Sequence, residues 1–88
     1  ISDIKPLQSL TKLISLYLNQ NQISDIKPLK SLTNLTYLNL RDNQINDIKP
    51  LESLTKLTWI SLSGNPIAPK NCPLKPESIC QWEQQAQS

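Results

Sequence analysis

The chain of 88 residues contains no histidine, phenylalanine, methionine or valine, and only one glycine. Each absence narrows the function. Histidine is the commonest general base near neutral pH and the commonest metal ligand. Without it no Ser–His or Cys–His pair can form. One glycine cannot build a phosphate-cradling loop or a dinucleotide-binding turn. The 7 acidic residues are too few and too regularly placed to suggest a tuned carboxylate pair. Neither an enzyme nor a metal or cofactor site is expected. No apolar run approaches the roughly 18 residues of a membrane span. The net charge of +2 is far below a nucleic-acid footprint. The charges are also interleaved, Asp3 with Lys5, Asp25 with Lys27 and Asp47 with Lys49, as on solvated faces.

What is present is leucine and isoleucine. They supply 25 of the 33 hydrophobic residues, 15 Leu and 10 Ile. An ordinary core mixes shapes to fill irregular gaps. A core of nearly one shape implies one packing solution used repeatedly. The repeat is explicit: ISDIKPLQSLTK at residues 1–12 recurs as ISDIKPLKSLTN at 23–34 and INDIKPLESLTK at 45–56, a spacing of 22 residues. The intervening blocks LISLYLNQNQ, LTYLNLRDNQ and LTWISLSGNP align in the same way. The organisation is a half copy at 1–12, full copies at 13–34 and 35–56, a strand half at 57–67, and a divergent tail at 68–88.

The first blocks alternate as strands do: Leu16, Tyr17, Leu18; Leu38, Asn39, Leu40; Ile60, Ser61, Leu62. The second blocks suit an extended turn followed by a short 3₁₀ turn. Pro6, Pro28 and Pro50 bias the preceding residue away from helix, so any helical turn is expected at or after the proline. One coil cannot bury Leu13, Leu16, Leu18, Ile23, Ile26, Leu29 and Leu32 alone, so the coils must stack.

The block L-x-x-L-x-L-x-x-N, three times at constant period, resembles the leucine-rich repeat family. The 22-residue length with D-I-x-P-L-x-x-L is similar to its internalin-type bacterial class, and GNPIAPKNCPLKPESICQW to the tails of some cyanobacterial members. The resemblance implies an α/β right-handed solenoid with a parallel sheet on the concave face, short 3₁₀ turns on the convex side and a protein partner bound in the concavity. It covers residues 1–67.

Asn21, Asn43 and Asn65 follow each strand and would stack as a ladder bonding the backbone of neighbouring turns. On the convex side Asp3, Asp25 and Asp47 form a column. A calcium site needs about six or more converging oxygens, so the alternative is that each Asp bonds its own following turn. On the sheet, alternation sends the residues between the leucines outward. Tyr37 and Trp59 are equivalent positions and should lie side by side, with Tyr17 diagonal to them. Asn19, Asn39, Arg41 and Ser61 surround them. Tyr, Trp and Arg are the types enriched at binding hot spots, although aromatic residues also simply suit strands. The expected partner is a protein; sugar stacking on Tyr37 and Trp59, or a purely structural role in assembly, are the alternatives.

A solenoid end needs a lid. Residues 68–88 are placed to be one, with a short helix from Pro76 that sets Ile79, Trp82 and Ala86 on one face and makes Trp82 the plug. Cys72 and Cys80 could form a disulfide or remain two reduced thiols; a disulfide would favour an extracytoplasmic location. The chain opens in mid-repeat. Its first half-coil is expected to expose Leu7 and Leu10, as a C-terminal portion of a longer solenoid would.

Overall fold

The computed structural model describes residues 2–68 and 70–82. Each coil opens with a three-residue strand: β1 Ser15–Tyr17, β2 Tyr37–Asn39 and β3 Trp59–Ser61. These pair in parallel, in chain order, at the 22-residue register: Ser15 opposite Tyr37, and Tyr37 opposite Trp59. The central Leu16, Leu38 and Ile60 align and face the core, so their flanking residues share the outer face.

Opposite the sheet each coil makes one 3₁₀ turn, at Lys5–Ser9, Lys27–Ser31 and Lys49–Ser53. The turns begin one residue before the proline rather than at it. In the middle coil the first bond runs from the Leu29 N–H to the Ile26 carbonyl at 2.9 Å and encloses Lys27 and Pro28. The first N–H groups of a helical turn have no partner within it, so a proline there sacrifices nothing. The aspartate column caps these turns. Asp3, Asp25 and Asp47 accept the backbone N–H of Lys5, Lys27 and Lys49 at 3.0, 3.0 and 3.1 Å.

The core fills the space between sheet and turns. Leu29, Leu32, Leu35, Leu38, Leu40, Ile45, Leu51, Leu54 and Ile60 have no exposed surface. Each such side chain contributes about 1.5–3 kcal/mol on burial. The coils are not equally sealed. Leu10 and Ile14 are 45% and 53% exposed, and Leu7, Leu13 and Leu16 are half-buried. Their equivalents in the next coil have a neighbour on both sides; these have one.

The far end departs from expectation. The short helix is a single 3₁₀ turn, Glu77–Ile79, and Pro76 before it is extended. The chain then enters a fourth strand, β4 Cys80–Gln81, parallel to β3 with Cys80 opposite Ile60, giving sheet order β1-β2-β3-β4. A helix running from Pro76 through Trp82 is therefore corrected to a turn and a strand. The physical reason is the open edge of β3, whose backbone groups need partners. The Leu62 N–H donates to the Gln81 carbonyl at 2.8 Å, a bond that a helix would not supply. Ile79 and Cys80 are buried, and Trp82 packs against the core. Ala86 lies outside the described residues. Cys72 and Cys80 are joined by a disulfide that ties this segment to β4. No helix among the described residues is long and apolar enough to cross a membrane.

Candidate interaction surface

The 22-residue register turns a scattered set of residues into a surface. Tyr37 and Trp59 occupy the same position on adjacent strands. Their rings stack with centroids 4.3 Å apart and planes 7° from parallel. Tyr17 sits opposite Asn39, two residues out of step, so its ring reaches Tyr37 diagonally, at 5.0 Å and a tilt of 38°. The three rings form one continuous row across β1, β2 and β3. Each such contact is worth about 0.5–1.5 kcal/mol beyond burial.

The row is graded in exposure. Tyr17, on β1, is 62% exposed, whereas Tyr37 and Trp59 are half-buried. The Tyr37 hydroxyl is raised above its ordinary pKa, chiefly by desolvation, then by repulsion from a Tyr17 phenolate and a hydrogen bond with Tyr17.

Polar groups flank the row. The Asn39 carbonyl oxygen Oδ1 accepts the Arg41 backbone N–H at 3.1 Å, which leaves the amide hydrogens to offer a ligand. Arg41 is well exposed, and its Nε lies 3.5 Å from an Asp42 carboxylate oxygen. Asn19 is exposed at the end of the first strand. Ser61 does not belong with these residues. It is 5% exposed, with Gln81 of β4 alongside it in the sheet. Ser63 is buried too. Alternation assigns the face of each strand residue but does not announce the fourth strand that extends the sheet at its far margin.

Asn43 is buried, and Asn21 and Asn65 are half-buried. Asn43 Nδ2 donates to the Leu18 and Leu40 carbonyls at 2.9 Å each, and its Oδ1 accepts the Ile23 N–H at 3.1 Å. Asn65 repeats the pattern one coil on, with Leu40, Leu62 and Ile45. Asn21 donates to the Leu18 and Asn19 carbonyls. The bonds of Asn43 to Leu18 and Ile23 and of Asn65 to Leu40 and Ile45 link successive coils, whereas the bonds of Asn21 to Leu18 and Asn19 stay within its own.

One feature at the strand ends escaped the sequence reading. Gln20, Asp42 and Gly64 occupy equivalent positions and all have left-handed backbone, φ 60°, 61° and 74°. The signal was the single glycine, placed where the other coils carry polar residues. A Cβ on Gly64 would collide with the Asp42 side chain. Among the described residues no three His, Cys, Asp or Glu side chains gather as metal ligands would.

The arrangement matches known proteins. A family model described as leucine-rich repeats in 2 copies covers residues 33–75. No curated protein matches the chain. An internalin C2 from Listeria monocytogenes is 36% identical with a TM-score of 0.74, over 91% of this chain and 45% of that one. An internalin F from the same species is 38% identical with a TM-score of 0.61, over 76% of this chain and 26% of that one. A leucine-rich repeat protein of Leptospira interrogans is 35% identical with a TM-score of 0.65, over 69% of this chain and 16% of that one. The chain thus spans less than half the length of each. The leucine-rich repeat fold generally mediates protein–protein interaction. With its 22-residue coils, parallel sheet and 3₁₀ turns, the chain belongs to the leucine-rich repeat family, in its internalin-like class.

Proposed function

We propose that the chain is a non-catalytic module that binds a protein partner on the outer face of its sheet, the concave side of such a solenoid. The observation that carries this reading is the ring row of Tyr17, Tyr37 and Trp59, held on an open face beside Asn39 and Arg41. Exposed aromatic groups next to an arginine are the composition of binding hot spots. In this reading the C-terminal segment, described over residues 70–82, closes the last coil, with Trp82 against its core and the disulfide fixing the closure. The disulfide also favours an extracytoplasmic location.

Sugar binding is less well supported. Sugars stack on aromatic faces, and both faces of Tyr37 are taken by its neighbours. A role in assembly rests on a different observation, the exposed Leu10 and Ile14 beside β1. Affinity capture with the wild-type chain and with Tyr37→Ala and Trp59→Ala variants separates these readings. The expected result is a protein captured by wild type and lost by both variants, with unchanged circular dichroism. Full capture by the folded variants would sink the assignment of this face. Loss only on Leu10→Ser or Ile14→Ser would favour assembly.

A further inference from the structure

The two ends of the solenoid are finished differently. At the first coil Leu10 and Ile14 are exposed, yet β1 and the 3₁₀ turn before it are formed, and β1 is paired with β2. The fold therefore carries an end coil with an open side. At the last coil β4 lies along the edge of β3, and Leu57, Ile60, Leu62 and Ile67 are buried.

The closing segment is slight. β4 meets β3 at two register pairs, Ile60 with Cys80 and Ser61 with Gln81, where the repeat strands meet at three. Leu74, Ile79 and Cys80 are its buried side chains. Ordering a segment costs backbone entropy at every residue. The disulfide offsets part of that cost, because Cys72, eight residues before Cys80, confines the open form near the edge it must re-enter. The two cysteines are unequally placed. Cys80 is buried, whereas Cys72 is half-buried and follows the exposed Asn71. Cys72 is thus the end that a reagent reaches. The chain has 2 cysteines and both are in the bridge, so no thiol of its own can exchange with it.

From this arrangement we infer that the bridge between Cys72 and Cys80 is a redox-sensitive latch: its reduction by a dithiol releases β4 and opens the edge of β3 while the repeat coils stay folded. A thiolate of the dithiol attacks the Cys72 sulfur. The S–S bond breaks, a mixed disulfide forms, and Cys80 leaves as a thiolate that takes up a proton. The second thiol of the reagent displaces Cys72, which is protonated in turn, and the reagent departs as a disulfide. Two electrons and two protons have passed from the dithiol to the bridge. The Leu62 N–H then loses its Gln81 acceptor, at an edge able to pair with another strand. The latch is independent of what the ring row binds.

The test follows native-state hydrogen exchange of the full chain, nitrogen-15 labelled, in the oxidised form, after dithiothreitol and after reoxidation, with thiols titrated at each stage. The reporting amides are Leu62, which donates to Gln81, and Ile79, which donates to Pro76. The reference amides are Leu18, which donates to Asn39, and Leu29, which donates to Ile26. Reduction is expected to speed exchange at the reporters by about tenfold or more beyond any gain at the references, with the cross-peaks of the repeat amides unmoved. Reoxidation should restore the reporters. A Cys72→Ser, Cys80→Ser double variant should show the open pattern with or without dithiol. Slow exchange at Leu62 after complete reduction would overturn the latch, because the strand then closes unaided. Equal acceleration at all four amides would overturn it too, because the opening is then global. A bridge that dithiothreitol reduces only in denaturant would do the same, because the folded chain then shields it.

Discussion

Truncating Asn43 to Ala tests how the asparagine column holds adjacent coils together. Its side chain is 3% exposed and makes bonds to Leu18, Leu40 and Ile23. Removing it does not orphan all three groups. The Leu18 carbonyl also receives Asn21 Nδ2 at 2.9 Å, and the Leu40 carbonyl also receives Asn65 Nδ2 at 2.9 Å. Each carbonyl therefore keeps one donor. The Ile23 N–H, on a residue with no exposed surface, loses its acceptor. One orphaned buried donor costs about 1–3 kcal/mol. In a domain of this size that lowers the thermal midpoint by roughly 5–20 °C. Urea unfolding followed by far-ultraviolet circular dichroism measures the loss, with an unchanged m-value as the sign that only stability moved. Asn43→Asp should be worse than Ala at neutral pH. It keeps an acceptor for Ile23 but sets a carboxylate against the Leu18, Leu40 and Arg41 carbonyls, which raises its folded pKa. Its deficit should accordingly shrink as pH falls and the acid becomes a donor. Sharing also predicts non-additivity. Asn21→Ala combined with Asn43→Ala removes both donors to Leu18, so the double variant should lose about 0.5 kcal/mol or more beyond the sum. An unchanged melting curve, or strict additivity, would refute the shared ladder.

Two further expectations follow from the end of the solenoid. Gly64→Ala forces a Cβ into left-handed backbone and into the Asp42 side chain. It should cost more than about 1 kcal/mol, with partial recovery in an Asp42→Gly background because the contact is relieved and the φ penalty is not; no recovery would show that the contact is irrelevant. Reducing the bridge between Cys72 and Cys80, eight residues apart, should lower stability by about 2.5 kcal/mol through the freed loop. Melting with and without reductant, paired with thiol titration, checks this, and coincident curves after complete reduction would count against it.

The sequence was legible where it repeats. A 22-residue period fixes which strand residues stand opposite one another, so the stacking partners Tyr37 and Trp59 could be named from spacing alone. The inward leucines followed from the same alternation. Legibility failed where the repeat stops. Ile79, Cys80, Gln81 and Trp82 do not copy the strand block, yet the open edge of β3 recruits them as a strand. The demand comes from unpaired backbone, which leaves no mark on side-chain pattern. Ser61 was misplaced for the same reason: whether an outward residue is open depends on a neighbour that sequence spacing does not announce.

The contrast between copies carries a further implication for the site. At the inward positions the coils hold Leu or Ile almost throughout, because stacked coils must offer one another the same shape. At the outward positions they differ: Ser15, Tyr37 and Trp59 in one row, then Tyr17, Asn39 and Ser61 in the next. Packing places no demand for identity there, so those residues answer to other constraints. The aromatic residues could have been spread evenly, one per coil at the same position. Instead Tyr37 and Trp59 stand opposite each other, and Tyr17 is offset by two residues so that its ring meets Tyr37 diagonally. An even column would have put a ring opposite each neighbour and left the second row polar. The offset sets Tyr17 level with Asn39, and Asn39 and Arg41 follow Tyr37 along β2. A partner reading this surface meets rings across the strands and polar side chains farther along β2.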